Sequence, residues 1–259
     1  MNQRRLTKRI IAVAVLIGAL GVLLFTGQRY GQLQQAYQVG DRQYEHLRAQ
    51  VIQPKTTGED DPSGDSATQR TIDFQALKEI NADVIGWLRS PGTPIDYPVM
   101  KATDYQHYLS HLPDGTYNAN GSLFLDFNNA PDFSERLSII YGHNMQSGSM
   151  FGTLTRYKEQ SYFEEHPSLY LYTADGEYRI DLLYGCVVGA GVWRDRAFMY
   201  EVNLESLLAF ASSKSTFITS ESATDSDRLI VLSTCSYEFD DARYIVIGVL
   251  RPLSVSDTL

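Results

Sequence analysis

The sequence predicts a mainly β fold, a mixed barrel or sandwich with peripheral helices, carried behind a membrane-directed N-terminus. Short runs rich in β-branched and aromatic residues recur through the last two-thirds of the chain and are separated by turn formers. They do not alternate regularly with helices, which argues against a doubly wound parallel sheet. One amphipathic stretch, NLESLLAFASS (Asn203 to Ser213), is the only inserted helix among the later runs. With 259 residues, 43% hydrophobic and 20% charged, the chain has room for one sizeable domain and its appendages.

The elements follow in order. MNQRRLTKR carries Arg4, Arg5, Lys8 and Arg9 with no acid, and the sixteen apolar residues Ile10 to Phe25 come next. Thr26 and Gly27 extend this run to eighteen, near the ~17–20 residues that a spanning helix needs. The run ends in Leu-Leu-Phe-Thr-Gly-Gln-Arg without a small-x-small cleavage site, so residues 1–27 read as an uncleaved signal anchor. The basic cluster keeps the N-terminus cytoplasmic and places the rest outside, as a single-pass protein of the plasma membrane. Residues 28–70 read as an extracytoplasmic stalk. QRYGQLQQAYQVGDRQYEHLRAQ is its helical part and PKTTGEDDPSGDSATQ (Pro54 to Gln69) a flexible linker.

The folded domain is expected over 71–259. IDFQALKEINADVIGWL has Phe74, Leu77, Ile80 and Val84 at helical spacing and closes in a strand-like Val-Ile-Gly-Trp-Leu. Pro91-Gly92 and Pro94 make a turn before IDYPVM. DYQHYLSHL suggests a short helix and PDGTYNANG a loop. The strands expected after these are SLFLDF, RLSIIYG, SLYLYT, YRIDLLYGCVVGA, RLIVLSTC and RYIVIGVLR.

Charge excludes one class of partner. The chain has 22 basic and 31 acidic residues, and beyond residue 27 the balance is 18 against 31, a net charge of −13. Such a surface repels phosphate backbones, so nucleic acid is not an expected partner.

RLIVLSTC and RYIVIGVL are joined by SYEFDDA. If they pair as an antiparallel hairpin, Cys235 and Arg243 fall opposite each other at its open end, their Cβ atoms only ~5 Å apart. Ser233 then shares a face with Cys235. A cysteine nucleophile needs a proton-transfer partner and donors for the oxyanion formed at the attacked carbonyl. Arg243 never deprotonates and can supply the donors. Of five histidines, His143 is the best placed for proton transfer, since it ends LSIIYGH and opens into the small-residue loop NMQSGSMFG. Taken alone, His143 or Cys235 could be a satisfied structural residue, and it is their joint placement with Arg243 that points to catalysis.

Other titratable residues read more plainly. His107 and His111 stand four apart, but HYLSH lacks the glutamate of HExxH and has no evident third ligand, so no metal is expected. Asp240 and Asp241 read as solvated loop charges. For an exported protein a disulfide between Cys186 and Cys235 is one reading. The alternative is a buried thiol at Cys186, in the apolar run DLLYGCVVG, and a reactive one at Cys235.

VLSTC, followed eight residues later by Arg243 and preceded far upstream by YGHN, resembles the sortases, membrane-anchored transpeptidases of Gram-positive bacteria. GWLRSPGTPIDYPVM, NGSLFLDFNN, IIYGHNM, MFGTLTRY and the helix before the cysteine strand are similar to class B in particular. The resemblance spans roughly residues 73–252. It implies a closed β-barrel and a catalytic triad of His143, Cys235 and Arg243. It further implies substrate contacts at Ser233, Thr234 and Leu109, and no cofactor. The leading threonine of the family's TLxTC strand is Val231 here, and the residue after the cysteine is Ser236, where some members have an acid. The implied reaction cleaves a C-terminal sorting signal of secreted proteins after its threonine. A thioacyl-enzyme forms, and the acyl group passes to an amine of a cell-wall precursor or a pilin. Two other readings stand beside it: a secreted cysteine hydrolase with water as acceptor, and an anchored binding module with a structural Cys235.

Overall fold

The structure, a computed structural model, describes residues 3–54, 70–191 and 204–253. Residues 55–69, nearly all of the expected linker, lie outside the described residues, as do Asn203 and the stretch before it.

A single helix, α1 (Gln3–Val51), runs from the basic tail through the apolar segment and the Gln-rich stalk without a break. Among the described residues it is the one helix long and apolar enough to cross a membrane, and its apolar side chains from Ile11 to Phe25 are exposed. Two short strands, β1 (Ile52–Pro54) and β2 (Arg70–Ile72), pair antiparallel. Helix α2 (Phe74–Ile80) follows, capped by the Asp73 carboxylate, which accepts from Ala76 N at 2.9 Å.

Eight strands then close into a barrel: β3 (Val84–Arg89), β4 (Asp96–Lys101), β5 (Leu123–Leu125), β6 (Leu137–Tyr141), β7 (Ser168–Tyr172), β8 (Glu177–Gly189), β9 (Arg228–Cys235) and β10 (Ala242–Pro252). Their order around the barrel is β10-β8-β7-β3-β4-β5-β6-β9, so the predicted closed barrel is the observed fold. Closure leaves no open sheet edge. Two pairs, β4–β5 and β6–β9, are parallel, and the others are antiparallel. The expected helix in DYQHYLSHL is only a 3-10 turn at His107–Leu109, pinned by Asp104, whose carboxylate accepts from the amides of Gln106 and His107. Helices α3 (Gln160–Glu165) and α4 (Leu204–Ser212) complete the periphery, α4 being the helix predicted before the cysteine strand.

The near-continuous apolar runs of β9 and β10 are explained by burial on both faces. Alternate residues enter two apolar clusters. Ile230, Leu232, Tyr244 and Val246 join the large one, which extends to Tyr44, Leu47 and Val51 of α1. Leu229, Val231, Ile245 and Ile247 join the other, covered by Leu204, Leu207 and Ala211 of α4. Beyond that helix, the second face continues along the strands to Tyr141, Ser233, Cys235 and Arg243, and there the cavity opens.

Candidate active site

Two strand registers assemble the site. The β9–β10 ladder sets Arg243 directly opposite Cys235, as the hairpin reading expects. The parallel β6–β9 ladder pairs Tyr141 with Ser233. The ladder ends at that pair, and two hydrogen bonds continue the contact past it: Gly142 N donates to the Ser233 carbonyl and Asn144 Nδ2 to the Cys235 carbonyl, so His143, between them, enters the site from the β6 side, away from Arg243. The thiol therefore stands in the middle strand of three. His143, Cys235, Arg243, Ser233, Thr234 and Leu109 all line one cavity of ≈ 220 Å³, so every residue singled out from the sequence for this site falls in it.

Each group is held by identifiable contacts. The ring Nε2 of His143 lies 2.7 Å from the Leu109 carbonyl oxygen. A carbonyl only accepts, so Nε2 carries the proton, and Nδ1 is the nitrogen left for proton exchange. Arg243 donates from Nη1 to the Ala242 carbonyl at 2.9 Å, and the Ser236 amide donates to the same oxygen, also at 2.9 Å. Asn144 Nδ2 donates to the Cys235 carbonyl at 2.9 Å, tying the loop after His143 to the cysteine strand. Thr234 is buried and donates from Oγ1 to the Gly142 carbonyl at 2.8 Å, while Gly142 N donates to Ser233 O at 3.2 Å. Its hydroxyl thus fixes the approach to His143.

Sequence reasoning missed the aromatic wall. Tyr105, Phe124 and Tyr141 also line the cavity. The phenols of Tyr105 and Tyr141 donate to one oxygen of Asp126 at 3.0 and 2.9 Å, and Asp126 is fully buried. Tyr141 was within reach of the strand alternation that ends at His143; Tyr105 lies on a distant loop and gave no such signal.

The other candidates sit elsewhere. His107 and His111 stack with centroids 4.2 Å apart, and no group of three metal-ligating side chains occurs among the described residues. His46 is exposed on α1 and His166 turns toward the Pro91 carbonyl, 3.1 Å away. Asp240 and Asp241 are exposed. Both cysteines are free thiols, which decides against the disulfide reading. Cys186 is fully buried, with its Sγ 3.3 Å from the Ala211 carbonyl, and burial pushes its thiol up to about 12. Beside the site, Lys158 and the Ser236 hydroxyl hold the Glu238 carboxyl down at about 2.

A closed barrel that presents a thiol between an imidazole and a guanidinium in an open, aromatic-walled groove has the make-up of a cysteine acyl-transfer enzyme. No protein-family model matches the chain. Individual relatives do. Sortase B of Listeria monocytogenes serovar 1/2a is 26% identical over 246 residues, covering 94% of this chain and 98% of that one. A Streptococcus pyogenes class B sortase involved in pilus biogenesis is 31% identical, with a TM-score of 0.62 over 69% of this chain and 97% of that chain. The Staphylococcus aureus sortase B–substrate complex is 27% identical, with a TM-score of 0.65 over 70% of this chain and 86% of that one. The chain belongs to the class B sortases, which are cysteine transpeptidases.

Proposed function

We propose that this transpeptidase is anchored in the plasma membrane by α1, with its catalytic domain outside the cytoplasm, and that His143, Cys235 and Arg243 perform the chemistry. The register that sets Arg243 opposite Cys235, in a cavity that His143 also lines, is the observation that carries the reading. The Cys235 thiol passes its proton to Nδ1 of His143, and the thiolate attacks the carbonyl carbon that follows the threonine of a sorting signal. Negative charge develops on the carbonyl oxygen, and Arg243, held by the Ala242 carbonyl, is the cationic donor placed to receive it. As the C–N bond breaks, His143 delivers a proton from Nδ1 to the departing amine, leaving a thioester on Cys235. An incoming amine then attacks the thioester carbonyl and gives up a proton to His143 Nδ1, and the C–S bond breaks to release the Cys235 thiolate.

The peptide lies along the groove walled by Leu109, Tyr105 and Tyr141, with Ser233 at its floor. The Ser233 hydroxyl is buried with no partner among the described residues, so it is available to a substrate carbonyl or amide. The acceptor is an amine of a cell-wall precursor or a pilin. The Streptococcus pyogenes relative is involved in pilus biogenesis, which supports a pilin as one acceptor.

Transfer is separated from hydrolysis by incubating the protein with a sorting-signal peptide and a graded excess of amine. Ligated product that rises with amine concentration supports the reading. Hydrolysed peptide alone, across chemically varied amines, contradicts it.

A further inference from the structure

The second half of α1 is bolted to the domain at a point that leads into the active-site loop. Asn118 Nδ2 donates to the Ala36 carbonyl at 2.8 Å, and Asn120 Nδ2 donates to Tyr37 O at 3.2 Å and to Asp41 Oδ1 at 2.9 Å. Gly40 lies between these amides, and a Cβ there would sit 2.7 Å from both Asn118 Oδ1 and Asn120 Nδ2. One turn on, Tyr44 is buried and donates to the Gly121 carbonyl at 2.6 Å. Arg48 donates to Asp96 O at 3.1 Å and lies over the Tyr97 ring, and Leu47 and Val51 are in the core.

Two of these contacts reach the segment that follows His143. Ser149 Oγ donates to Asp41 Oδ1 at 3.2 Å, and Met150 N donates to the hydroxyl of Tyr97, whose ring meets Tyr44 edge-on at 4.9 Å. Met150 has φ +53°, a conformation that a side-chain-bearing residue keeps only when its surroundings impose it. At the other end of the same segment, Asn144 donates to the Cys235 carbonyl and Phe151 N to the His143 carbonyl. A contiguous set of contacts therefore runs from α1 through residues 144–151 to His143 and Cys235.

We infer that residues 36–51 of α1 are a positioning element for the active-site loop, with Gly40 and Asp41 as its key residues, so that the helix crossing the membrane is joined rigidly to the site. β1 and β2 pair, so the chain before residue 55 and the chain after residue 69 meet in one small ladder. Only the helix from Gln28 to about Ala36, roughly 13 Å at 1.5 Å per residue, separates the apolar segment from the first clasp. The inference rests on Cys235 being the nucleophile.

The test uses the full chain in detergent micelles. Amides of 40–51 should resist hydrogen exchange as the barrel strands do, and Gly40→Leu should lower that protection at least about tenfold while the barrel stays protected. In the same variant kcat should fall roughly tenfold with KM within about twofold, because the reacting groups and not the groove are displaced. Asp41→Ala should lower kcat in the same sense and Asp41→Asn, which keeps an acceptor oxygen, should restore it; this pair also decides the matter if Gly40→Leu does not fold. Ten residues added within 55–69 should leave kcat and flotation with vesicles unchanged. Free exchange of 40–51 in the unmodified chain, or an undocked helix with unaltered kcat, overturns the inference. Full turnover by Cys235→Ala would instead defeat the reading of the site and leave the exchange result standing.

Discussion

Gly142 lies between Tyr141 and His143, and replacing it with alanine tests how tightly the imidazole is placed. A Cβ at this position would lie 2.4 Å from Leu123 Cδ2 and 2.7 and 3.0 Å from two atoms of the Phe151 ring. Carbon atoms in contact prefer about 3.5–4.0 Å, so roughly 1 Å of relief is required. Leu123 and Phe151 are fully buried and cannot yield it cheaply. The backbone of 141–143 must move outward instead, against the Thr234 and Ser233 hydrogen bonds that hold Gly142. Overpacking of this kind costs about 1–3 kcal/mol, and a 1 Å displacement of a catalytic group costs about 10²-fold in rate. Gly142→Ala should therefore shift the urea midpoint downward. It should also lower kcat for peptide cleavage about a hundredfold at temperatures where it remains folded. A folded variant with kcat within threefold of the parent would refute the argument that the packing and hydrogen bonds of Gly142 place His143.

Three further outcomes follow from named contacts. Arg243→Lys keeps the charge but loses the planar fork, and should lower kcat by about 10²–10³ with the denaturant midpoint little changed, measured on the same peptide. Alkylation at pH 8 should find one fast thiol in the native chain and two only after unfolding without reductant. Cys186, titrating at about 12, is ionised there to roughly one part in 10⁴, against about a quarter for an ordinary thiol; Cys235→Ala should leave the native protein nearly unlabelled. Glu238 is held below its usual 4.5 by Lys158 first and Ser236 second, so it adds stability that is complete above about 4.5 and lost as pH falls toward about 2. The carboxylate is 37% exposed, so the contribution is below about 1 kcal/mol. Glu238→Gln should flatten the acid limb of the stability curve over that window, in urea titrations from pH 5 to 2, and leave it unchanged above.

The hairpin that carries Cys235 and Arg243 was legible because the pairing is local. Two apolar runs joined by SYEFDDA have few registers, and the strong patterning of both strands selects one. The neighbouring parallel pairing of β6 with β9 was not legible in the same way. Its partners are about ninety residues apart, and both strands are buried on two faces, so their sequences lack the alternation that betrays an orientation. His143 was found instead from its position at a strand end. The docked half of α1 was read as a stalk because the stripe it buries, Tyr37, Tyr44, Leu47 and Val51, is thin and interrupted by Gly40 and Asp41, and because their partners Asn118 and Asn120 sit in a distant loop. The two thiols could not be sorted into bridged or free from spacing, since that depends on β10 lying between β8 and β9.

Mass spectrometry of the protein with a sorting-signal peptide, quenched in acid before and after addition of an amine, bears most directly on Cys235 as the acyl carrier. The account predicts an adduct equal to the N-terminal peptide fragment less water, located on the Cys235 peptide, that disappears as the ligated product forms. It also predicts no adduct and no turnover for Cys235→Ala. An adduct on another residue, or ligation that persists in Cys235→Ala, would contradict it.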